Sequence, residues 1–369
     1  MPTRRFTGRP WFYTRPAVTR VRTGSFHPLS RWGSVRLASC RPVGALLYAG
    51  IDKAGSSGRG SLLIGASGGT LVINGRPVKS TCALFTGLAG TVSVNGHRYR
   101  GTVEVIAEGN LVSAVNHVGI ESYLYGVVPR EVPASWPQQA LMAQAVASRT
   151  YALYVKHKSG DRRYDVRATT ASQVYGGYDA ETTDTNLAVD MTRGQVMTYN
   201  GKLVVAYFHA NSGGYTESPE NVWGVSLPYL KARLDSYSLG APGSRWEYFL
   251  SYDEAARLLD EYGIHVSCVK SIRFTGKTKS GRIRKVSIVS DSGIWNMSAN
   301  NFRLAIGASR LKSMFFRAVP AKNGVLLRGA GYGHGVGMSQ WGAREMALEG
   351  YNYREILAYY YRGVKLASL

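Results

Sequence analysis

One glutamate combines a side chain that can donate a proton with an unusually stiff backbone. Glu131 lies between Pro129 and Pro133 in the stretch GVVPREVP. Because proline fixes its own φ and restricts the residue before it, the carboxylate is predicted to project from a rigid bend. A carboxylic acid held in this way in a cleft can act as a general acid. The alternative is an exposed or ion-paired glutamate, as most glutamates are.

A long helix is predicted directly after this glutamate. Ser135 followed three residues later by Gln138 is typical of a capping box, Pro137 suits the first turn, and Gly160 is a stop signal. The helix should therefore run from about residue 136 to about residue 158. Its interior carries small side chains, namely Ala140, Ala143, Ala145, Ala147 and Ala152. Such side chains favour close approach of another backbone, which predicts a buried central helix.

Arg149 lies on the same predicted helix and is a second candidate site residue. It lies about 20 Å along the axis from the helix start, at ~1.5 Å per residue. That distance argues against a simple local pair with Glu131. From the residues alone two roles stay open for Arg149: an ion pair that braces the helix, or a place in the wall of a cleft.

Two glycine-rich segments carry the other candidate binding residues. A predicted hairpin that turns at Asn200-Gly201 delivers His209 and the loop containing Ser212 to one end of a sheet, where sites often lie. His334 lies in GAGYGHGVGMSQWGA, where alternate glycines let a ligand or another backbone approach closely. The alternatives are a hydrogen-bonded pair at a strand end for His209 and Ser212, and a structural donor to a carbonyl for His334.

The composition bounds the class of protein and its partners. The chain has 369 residues, 44% hydrophobic and 18% charged, which is typical of a globular protein with a large core. Its formal net charge is +22, and beyond residues 1–50 there are still 36 basic against 23 acidic residues. This charge favours a polyanion, whether nucleic acid, an anionic membrane or the cell wall. We predict no nucleic acid partner, because the sequence has no basic helix, zinc-finger spacing or RNP-like strand. No apolar run reaches the ~20 residues of a membrane span.

Residues 1–48 are predicted to be a disordered basic leader, because they are rich in Arg, Ser, Thr and Pro and show no periodicity. Thr3-Arg4-Arg5 is similar to a twin-arginine signal, and the segment ending at Cys40 is similar to a lipoprotein box. Neither adjoins the apolar core of ~7–15 residues that a signal peptide needs, so no clear signal peptide is predicted. An organelle transit peptide and a misassigned start codon stay open as explanations of the leader.

The remaining chain predicts an α+β fold, with mixed β-sheets and hairpins packed around the central Ala-rich helix. Residues 49–118 are the β-rich N-terminal part, with two-residue hairpin turns at Asn74-Gly75 and Asn95-Gly96. Residues 119–369 form the core, with a basic β-rich insertion around residues 236–320. Further helices are predicted at capping signals or apolar runs: after Ser251 with its partner Glu254, after Ser339, and from Tyr353 to Tyr361.

The segment at residues 266–298 is strand-like and strongly basic. One interpretation is a solvated hairpin face; the other is a patch that grips an anionic polymer. The basic residues of this segment are Lys270, Arg273, Lys277, Lys279, Arg282, Arg284 and Lys285.

Three blocks of the sequence resemble the SpoIID/LytB family, which includes stage II sporulation protein D and the amidase enhancers. They are GVVPREVP with PQQALMAQAVASRTYAL, then FHANSGGYTESPENVWG, and finally GAGYGHGVGMSQWGAREMALEGYNYREILAYYYRGVKL. The blocks occur in family order, and the match runs from about residue 60 to the end. The resemblance implies a protein of the cell wall, outside the cytoplasm, with a glycan-binding cleft.

The resemblance also implies an activity and a set of site residues. Members of the family are lytic transglycosylases that act on peptidoglycan glycan strands stripped of stem peptides. Glu131 matches the proposed catalytic glutamate of the family, and the family pattern marks an arginine at the position of Arg149 as important to activity. The substrate-binding residues expected here are Arg149, His209, Ser212, Tyr215 and His334.

No metal and no cofactor is predicted. Some members of the family hold zinc through histidines and cysteines around the loop after His209. Here Asn211 and Ser212 occupy that loop with no cysteine near, so a tetrahedral set of ligands cannot be assembled locally. The three cysteines are far apart and form no CxxC motif; they are Cys40, Cys82 and Cys268.

The chemistry can also be argued from the residues. Ordinary glycosidases need two carboxylates that flank the scissile bond, whereas this sequence frames only Glu131 clearly. One carboxylate suffices for a lytic mechanism, in which it protonates the glycosidic oxygen and then takes the proton of the C6 hydroxyl. Glu217 and Glu220 are the candidates for a second carboxylate. The alternative hypothesis is a non-catalytic wall-binding protein that stimulates an N-acetylmuramoyl-L-alanine amidase. A third, weaker hypothesis is a polyanion-binding structural protein.

Overall fold

The computed structural model describes residues 4–5, 34–39, 47–52, 59–159, 164–266 and 268–369. These residues form two compact units, described separately below. The N-terminal unit comprises the described part of residues 34–205 together with Lys365–Leu369, and the C-terminal unit comprises Arg4–Arg5 and Ala206–Val364. Helices and mainly antiparallel sheets occur in both, so the predicted α+β class is confirmed.

The elements are numbered in chain order. The strands are β1 (Arg4–Arg5), β2 (Ser34–Ser39), β3 (Leu47–Asp52), β4 (Arg59–Ser67), β5 (Thr70–Ile73), β6 (Arg76–Pro77), β7 (Cys82–Val94), β8 (His97–Glu108), β9 (Leu111–Gly119), β10 (Val166–Arg167), β11 (Gln195–Tyr199), β12 (Lys202–Leu203), β13 (Phe208–His209), β14 (Arg245–Ser251), β15 (Val269–Lys277), β16 (Ile283–Ser290), β17 (Gly293–Ser298), β18 (Phe316–Ala321), β19 (Gly324–Ala330), β20 (Met338–Ser339) and β21 (Lys365–Ser368). The α-helices are α1 (Ile120–Glu131), α2 (Gln138–Ser159), α3 (Thr183–Met191), α4 (Pro219–Trp223), α5 (Tyr252–Glu261), α6 (Ala299–Ile306), α7 (Gln340–Leu348) and α8 (Tyr353–Tyr360).

A nine-stranded, mainly antiparallel sheet forms most of the start of the N-terminal unit. Its strand order is β10-β2-β9-β8-β7-β3-β4-β5-β6, and all pairs are antiparallel except β10 with β2. The predicted turns are confirmed, since Asn74-Gly75 and Asn95-Gly96 both adopt positive φ, as a two-residue hairpin requires. Alternate residues of these strands, among them Ile64, Val103 and Val105, form a buried core.

The central helix α2 runs from Gln138, two residues later than predicted, to Ser159. Its alanines and the apolar residues between them are buried, so the prediction of a buried helix is confirmed. It packs against α1, α3 and β11. The side-chain amide of Gln138 lies 3.5 Å from the backbone oxygen of Asp184, toward the start of α3.

Helix α1 was not predicted, and it changes the setting of Glu131. Pro129 lies inside the helix and Glu131 is its last residue, so the carboxylate projects from a helix end rather than from a proline-framed bend. An apolar face that includes Tyr123, Leu124 and Val127 is buried and holds the helix in place. This packing outweighs the local cost of a proline that lies only in the last turn.

The predicted hairpin at Asn200-Gly201 is present but shorter than expected. Its strands β11 and β12 belong to a three-stranded sheet in which β11 also pairs with β21 at the end of the chain. His209 was expected on the second strand of this hairpin, which is wrong. It lies on β13, which pairs in parallel with β20 in the C-terminal unit.

The C-terminal unit contains a four-stranded sheet, β1-β17-β16-β15, and a three-stranded sheet, β14-β19-β18. Together with α5 and α6 they enclose a core that includes Leu250, Phe302 and Leu327. The predicted cap at Ser251 and the predicted helix after Ser339 are both confirmed, and the side chain of each serine accepts a backbone N–H of the following turn. The closing helix is confirmed as α8.

The basic hairpin β15–β16 exposes Arg273, Lys277 and Lys285 on its outer side, as a solvated face would. Arg282 is an exception that the sequence pattern does not predict, because only 3% of it is exposed. It therefore belongs to the interior rather than to a surface patch.

Most of the predicted leader at residues 1–48, including Cys40, lies outside the described residues. Cys82 and Cys268 are exposed free thiols. Within the part of the chain that the structure describes, no helix has both the length and the apolarity of a membrane span.

Candidate functional site

Glu131 is half-buried at the C-terminal end of α1. Its Oε1 accepts a hydrogen bond from the backbone N–H of Val174, at 3.1 Å. This bond fixes the orientation of the carboxylate while part of the residue stays accessible to solvent. The partial negative charge at a helix C-terminus disfavours a further negative charge there, whereas the N–H of Val174 stabilises one.

The segment that supplies this N–H lies close against α1 because of a glycine. A Cβ at Gly126 would lie 2.6 Å from a ring carbon of Tyr175 and 2.8 Å from the carbonyl oxygen of Gly177. The backbone N–H of Gly176 donates to the carbonyl of Gly126 at 2.9 Å. Only glycine permits this approach, and it holds the segment around Val174 beside the helix.

Tyr123 lies on the same helix and is fully buried. Its hydroxyl donates to the side-chain oxygen of Gln173 at 3.1 Å. Burial, with a further contribution from the charge of Glu131, holds the pKa of Tyr123 well above its ordinary value. The hydroxyl is therefore a permanent donor that helps to fix the segment before Val174.

Arg149 is fully buried and braces the two helices. Its Nε and Nη2 donate to the carboxylate of Glu121 in the first turn of α1, at 3.0 and 2.6 Å. Nη2 also donates to the carbonyl of Val189 and Nη1 to that of Gln195. Glu121 additionally accepts the backbone N–H of Gly194. Of the two roles left open by the sequence, the structure shows the brace; contact of Arg149 with substrate stays a prediction.

Ser212 is also fully buried, in a hydrogen-bonded network of the C-terminal unit. Its hydroxyl donates to Asp235 Oδ2 at 2.6 Å and lies 2.6 Å from the hydroxyl of Ser238. Tyr360 donates to the other oxygen of Asp235 at 2.9 Å. Burial raises the pKa of Asp235 against the opposing effect of these hydroxyls. The network ties the loop after β13 to α8, which is a structural role.

His209 and His334 are joined through one residue. His209 Nδ1 donates to the carbonyl of Val336, and the N–H of Val336 donates to His334 Nδ1, each at 3.0 Å. The two rings are 5.6 Å apart. Burial, with a contribution from Arg282, lowers the pKa of His209 well below its ordinary value, and burial with Arg303 and Arg282 lowers that of His334 to about 3. Both imidazoles are therefore neutral near pH 7.

Glu217, a candidate second carboxylate, is 2% exposed and saturated with donors. Its Oε1 accepts the backbone N–H of Ser218 and the amide of Asn221, at 2.8 and 2.9 Å. Its Oε2 accepts the hydroxyls of Thr278 and Ser280, at 2.6 and 2.7 Å. A carboxylate that accepts four hydrogen bonds in the interior anchors the loop and the hairpin that supply them.

The remaining candidates have modest roles in the structure. Tyr215 is half-buried, and its carbonyl accepts a hydrogen bond from Arg282 at 2.6 Å. Glu220 is exposed and pairs with Lys231 at 3.3 Å. A surface pair of this kind contributes little to stability.

The structure thus divides the predicted site residues between the units. Glu131 and Arg149 lie in the N-terminal unit, connected through the two ends of α1. The other predicted binding residues lie in the C-terminal unit: His209, Ser212, Tyr215 and His334. Sequence reasoning missed Glu121 and the N–H of Val174. An acid at the start of an apolar segment is a weak signal, and a backbone donor more than 40 residues away gives none.

Among the described residues, no group of three or more His, Cys, Asp or Glu side chains could hold a metal ion.

Comparison with known proteins places the chain in a family. Residues 108–199 match the model described as stage II sporulation protein, and these residues include α1, α2 and Glu131. An uncharacterised protein of Brachyspira hyodysenteriae is 38% identical over 277 residues, which are 75% of this chain and 74% of that protein. The chain belongs to the SpoIID/LytB family. It is also similar to two Bacillus subtilis members, at 34% identity to the amidase enhancer and 28% to stage II sporulation protein D.

The coverage of these two members differs. The match spans 75% of this chain but 45% of the amidase enhancer, against 69% of this chain and 76% of stage II sporulation protein D. A second model, a domain of unknown function (DUF8618), matches residues 238–337. That region contains most of the basic insertion predicted around residues 236–320.

Proposed function

We propose that this protein is a peptidoglycan lytic transglycosylase in which Glu131 is the catalytic acid. The substrate would be the glycan strand, stripped of stem peptides, and the products would end in 1,6-anhydro-N-acetylmuramic acid. The observation that carries the proposal is the setting of Glu131: a half-buried carboxylate at a helix end, oriented by one backbone N–H, inside the segment that matches the family model.

The proposed reaction uses one carboxyl group twice. Glu131 donates its proton to the glycosidic oxygen as the bond to C1 of the muramyl residue breaks. The C6 hydroxyl of the same sugar then attacks C1, and Glu131 takes the hydroxyl proton as the anhydro ring closes. No water enters the product, and Glu131 ends the cycle protonated, as it began.

The environments of the two other candidate carboxylates, Glu217 and Glu220, support this single-acid scheme over hydrolysis. Hydrolysis would need a second carboxylate that activates water or attacks the sugar. Glu217 is buried with four donors on its two oxygens, and Glu220 is a surface residue paired with Lys231. Neither has the environment of a nucleophile or base.

Arg149 enters the proposal as a positioning residue. It holds the first turn of α1 through Glu121, and Glu131 is the last residue of the same helix. Because α1 is a single rigid element of about three turns, fixing one end of it restricts the other. His209, Ser212, Tyr215 and His334 stay predictions as substrate-binding residues.

The test is the cleavage rate of Glu131→Gln on denuded glycan. Glutamine keeps the shape of the side chain and its acceptor for Val174 but cannot donate a proton as an acid. We expect a loss of ~10²-fold to ~10⁴-fold in rate, with glycan binding and thermal stability unchanged. Glu220→Gln is the matched control and should cleave like wild type. Full activity of Glu131→Gln would overturn the assignment, and loss of wild-type activity in a chelator, restored by zinc, would reveal a metal site.

A second candidate function is that of a non-catalytic amidase enhancer. The observation that favours it is the 34% identity to a protein named amidase enhancer. In that case the protein would bind the cell wall without cleaving it and would stimulate an N-acetylmuramoyl-L-alanine amidase. Equal acceleration of a purified amidase by wild type and Glu131→Gln, with the glycan strands left intact by both, would support this function and exclude the first.

A further inference from the structure

The C-terminal unit buries an arginine that pairs with no acidic residue among those that the structure describes. Arg303 on α6 is 7% exposed, and its Nε donates to the carbonyl of Lys312 at 3.1 Å. Within the described part of the chain, no Asp or Glu lies within ion-pair distance of its guanidinium. Burying a cation without a counter-charge costs several kcal/mol. Here burial lowers the pKa of Arg303 to about 10, so the guanidinium is still charged at neutral pH.

This guanidinium lines a pocket. The pocket is small, with a cavity volume of about 20 Å³, and part of it is open to solvent. Its walls include α4 and the loop before it, the hairpin β15–β16, α6 and the glycine-rich segment before β20. The polar side chains that line it are Glu217, Asn221, Thr278, Arg282, Asn300, Arg303 and His334.

The one carboxylate in these walls does not neutralise Arg303. Glu217 already accepts four hydrogen bonds from neutral groups, and its charge acts on Arg282 instead. Arg282 donates in turn to the carbonyls of Tyr215 and Ser212. Two buried guanidinium groups against one carboxylate leave the pocket with net positive charge.

The neighbouring His334 does not offer Arg303 a hydrogen-bond acceptor either. His334 Nδ1 is occupied by the N–H of Val336, and the imidazole is neutral. The amides of Asn300 and Asn221 also line the pocket. That of Asn221 already donates one N–H to Glu217, and a remaining amide N–H can donate to an anion. The pocket therefore offers a fork-shaped cation with amide donors around it, which is the chemistry that recognises an oxyanion.

We propose that this pocket binds an oxyanion, a carboxylate or a phosphate group, with Arg303 as its principal ligand. The bound oxyanion supplies the counter-charge that none of the described residues provides. It takes up to two parallel hydrogen bonds from the guanidinium. The proposal goes beyond the cleavage reaction and does not depend on it, because the pocket would bind its ligand whether or not Glu131 is catalytic.

The first experiment is a titration of the whole wild-type protein, followed by calorimetry and by the melting temperature. Acetate and inorganic phosphate are compared with chloride at equal ionic strength, and N-acetylmuramic acid with its neutral relative N-acetylglucosamine. If the ligand is a carboxylate, acetate and N-acetylmuramic acid should bind saturably and raise the melting temperature. If the ligand is a phosphate group, inorganic phosphate should do so. Chloride and N-acetylglucosamine should have neither effect. No saturable binding of any of the three oxyanions overturns the proposal without need of a variant.

The second experiment compares Arg303→Gln with Arg273→Gln, which removes the same charge from the exposed side of β15. Arg303→Gln should lose at least ~10-fold in oxyanion affinity, because charge-assisted hydrogen bonds are lost. Without oxyanion its melting temperature should equal or exceed that of wild type, since an uncompensated charge is removed. Arg273→Gln should bind like wild type. Arg303→Lys, which keeps the charge but not the fork, is measured alongside and should bind weakly. Unchanged binding by Arg303→Gln, or by Arg303→Lys if the glutamine variant fails to fold, overturns the proposal.

Discussion

The two units bury arginine in opposite ways. In the N-terminal unit Arg149 is fully buried, and Glu121 meets it with both carboxylate oxygens. In the C-terminal unit Arg303 is almost as deeply buried, and none of the described acidic residues pairs with it in the pocket that it lines. The first arrangement is complete within the chain and acts as a brace. The second becomes complete only when a ligand supplies the anion.

For the carboxylates the contrast is reversed, because the carboxylate with the many protein partners lies in the C-terminal unit. Glu217 in the C-terminal unit is saturated by four donors, whereas Glu131 in the N-terminal unit is half-buried and oriented by a backbone N–H. A carboxylate that accepts four hydrogen bonds anchors the segments that donate them. A carboxyl group that can exchange its proton is what acid catalysis needs. This difference is the one that the two proposals require, namely catalysis by Glu131 and anion binding beside Arg303.

The largest effect on stability should come from breaking the complete pair. Arg149→Leu leaves Glu121 largely buried, with 13% of its side chain exposed, and without its counter-charge. We expect a loss of ~3–5 kcal/mol in the free energy of unfolding, measured by urea denaturation. Arg303→Gln in the same assay should lose nothing in the absence of oxyanion. Equal losses in the two variants would erase the distinction between the brace and the pocket.

A smaller effect should follow from the close approach of α1 to the segment around Val174. Gly126→Ala places a methyl group against Tyr175 and Gly177, which should cost more than the ~1 kcal/mol that alanine gains in a helix. We expect a net loss of about 1–2 kcal/mol, with a fall in cleavage rate because the N–H that orients Glu131 shifts. Gly240→Ala, where a methyl group meets open space, is the control. A more stable and fully active Gly126→Ala would show that the approach is not needed.

The effect that is smallest at pH 7 is a pH dependence of stability that comes from His334 and grows as the pH falls. The pKa of His334 is about 3 in the folded protein, below its ordinary value near 6.5. The unfolded chain therefore takes up a proton that the folded chain refuses, and stability is lost as pH falls from about 6.5 toward 3. Replacing the histidine by His334→Gln should flatten this slope by up to ~1.4 kcal/mol per pH unit. The free energy of unfolding is measured at pH 7, 6 and 5 for both proteins. If it falls with pH equally steeply in wild type and His334→Gln, the lowered pKa of His334 is contradicted.

The parts of the fold that could be predicted from the sequence are those set by local chemistry. The Asn-Gly turns were predicted because asparagine and glycine tolerate the positive φ of a two-residue hairpin. The cap at Ser251 was predicted because a short hydroxyl side chain suits the first free N–H groups of a helix. The burial of α2 followed from its alanines.

The parts that were missed depend on contacts between distant segments. Pro129 favoured a bend over a helix, and only the buried face of α1 reverses that preference. Glu121 gave no sign that its partner lies 28 residues later on α2. His209 belongs to a strand whose partner β20 lies well over 100 residues further along the chain. In the candidate site the sequence singled out Glu131 but placed it in a proline-framed bend. Its position at a helix end and the N–H of Val174 that orients it needed the folded structure.

The measurement that tests the central claim most directly is the mass of the products released from a defined, denuded glycan. If Glu131 alone carries the reaction, wild type should release fragments ending in 1,6-anhydro-N-acetylmuramic acid, about 18 mass units lighter than hydrolytic fragments because no water is added. Glu131→Gln should release ~10²-fold to ~10⁴-fold less of the same fragments. Fragments with reducing ends would show that water is the nucleophile and that a second carboxylate acts beside Glu131, which would contradict the single-acid account.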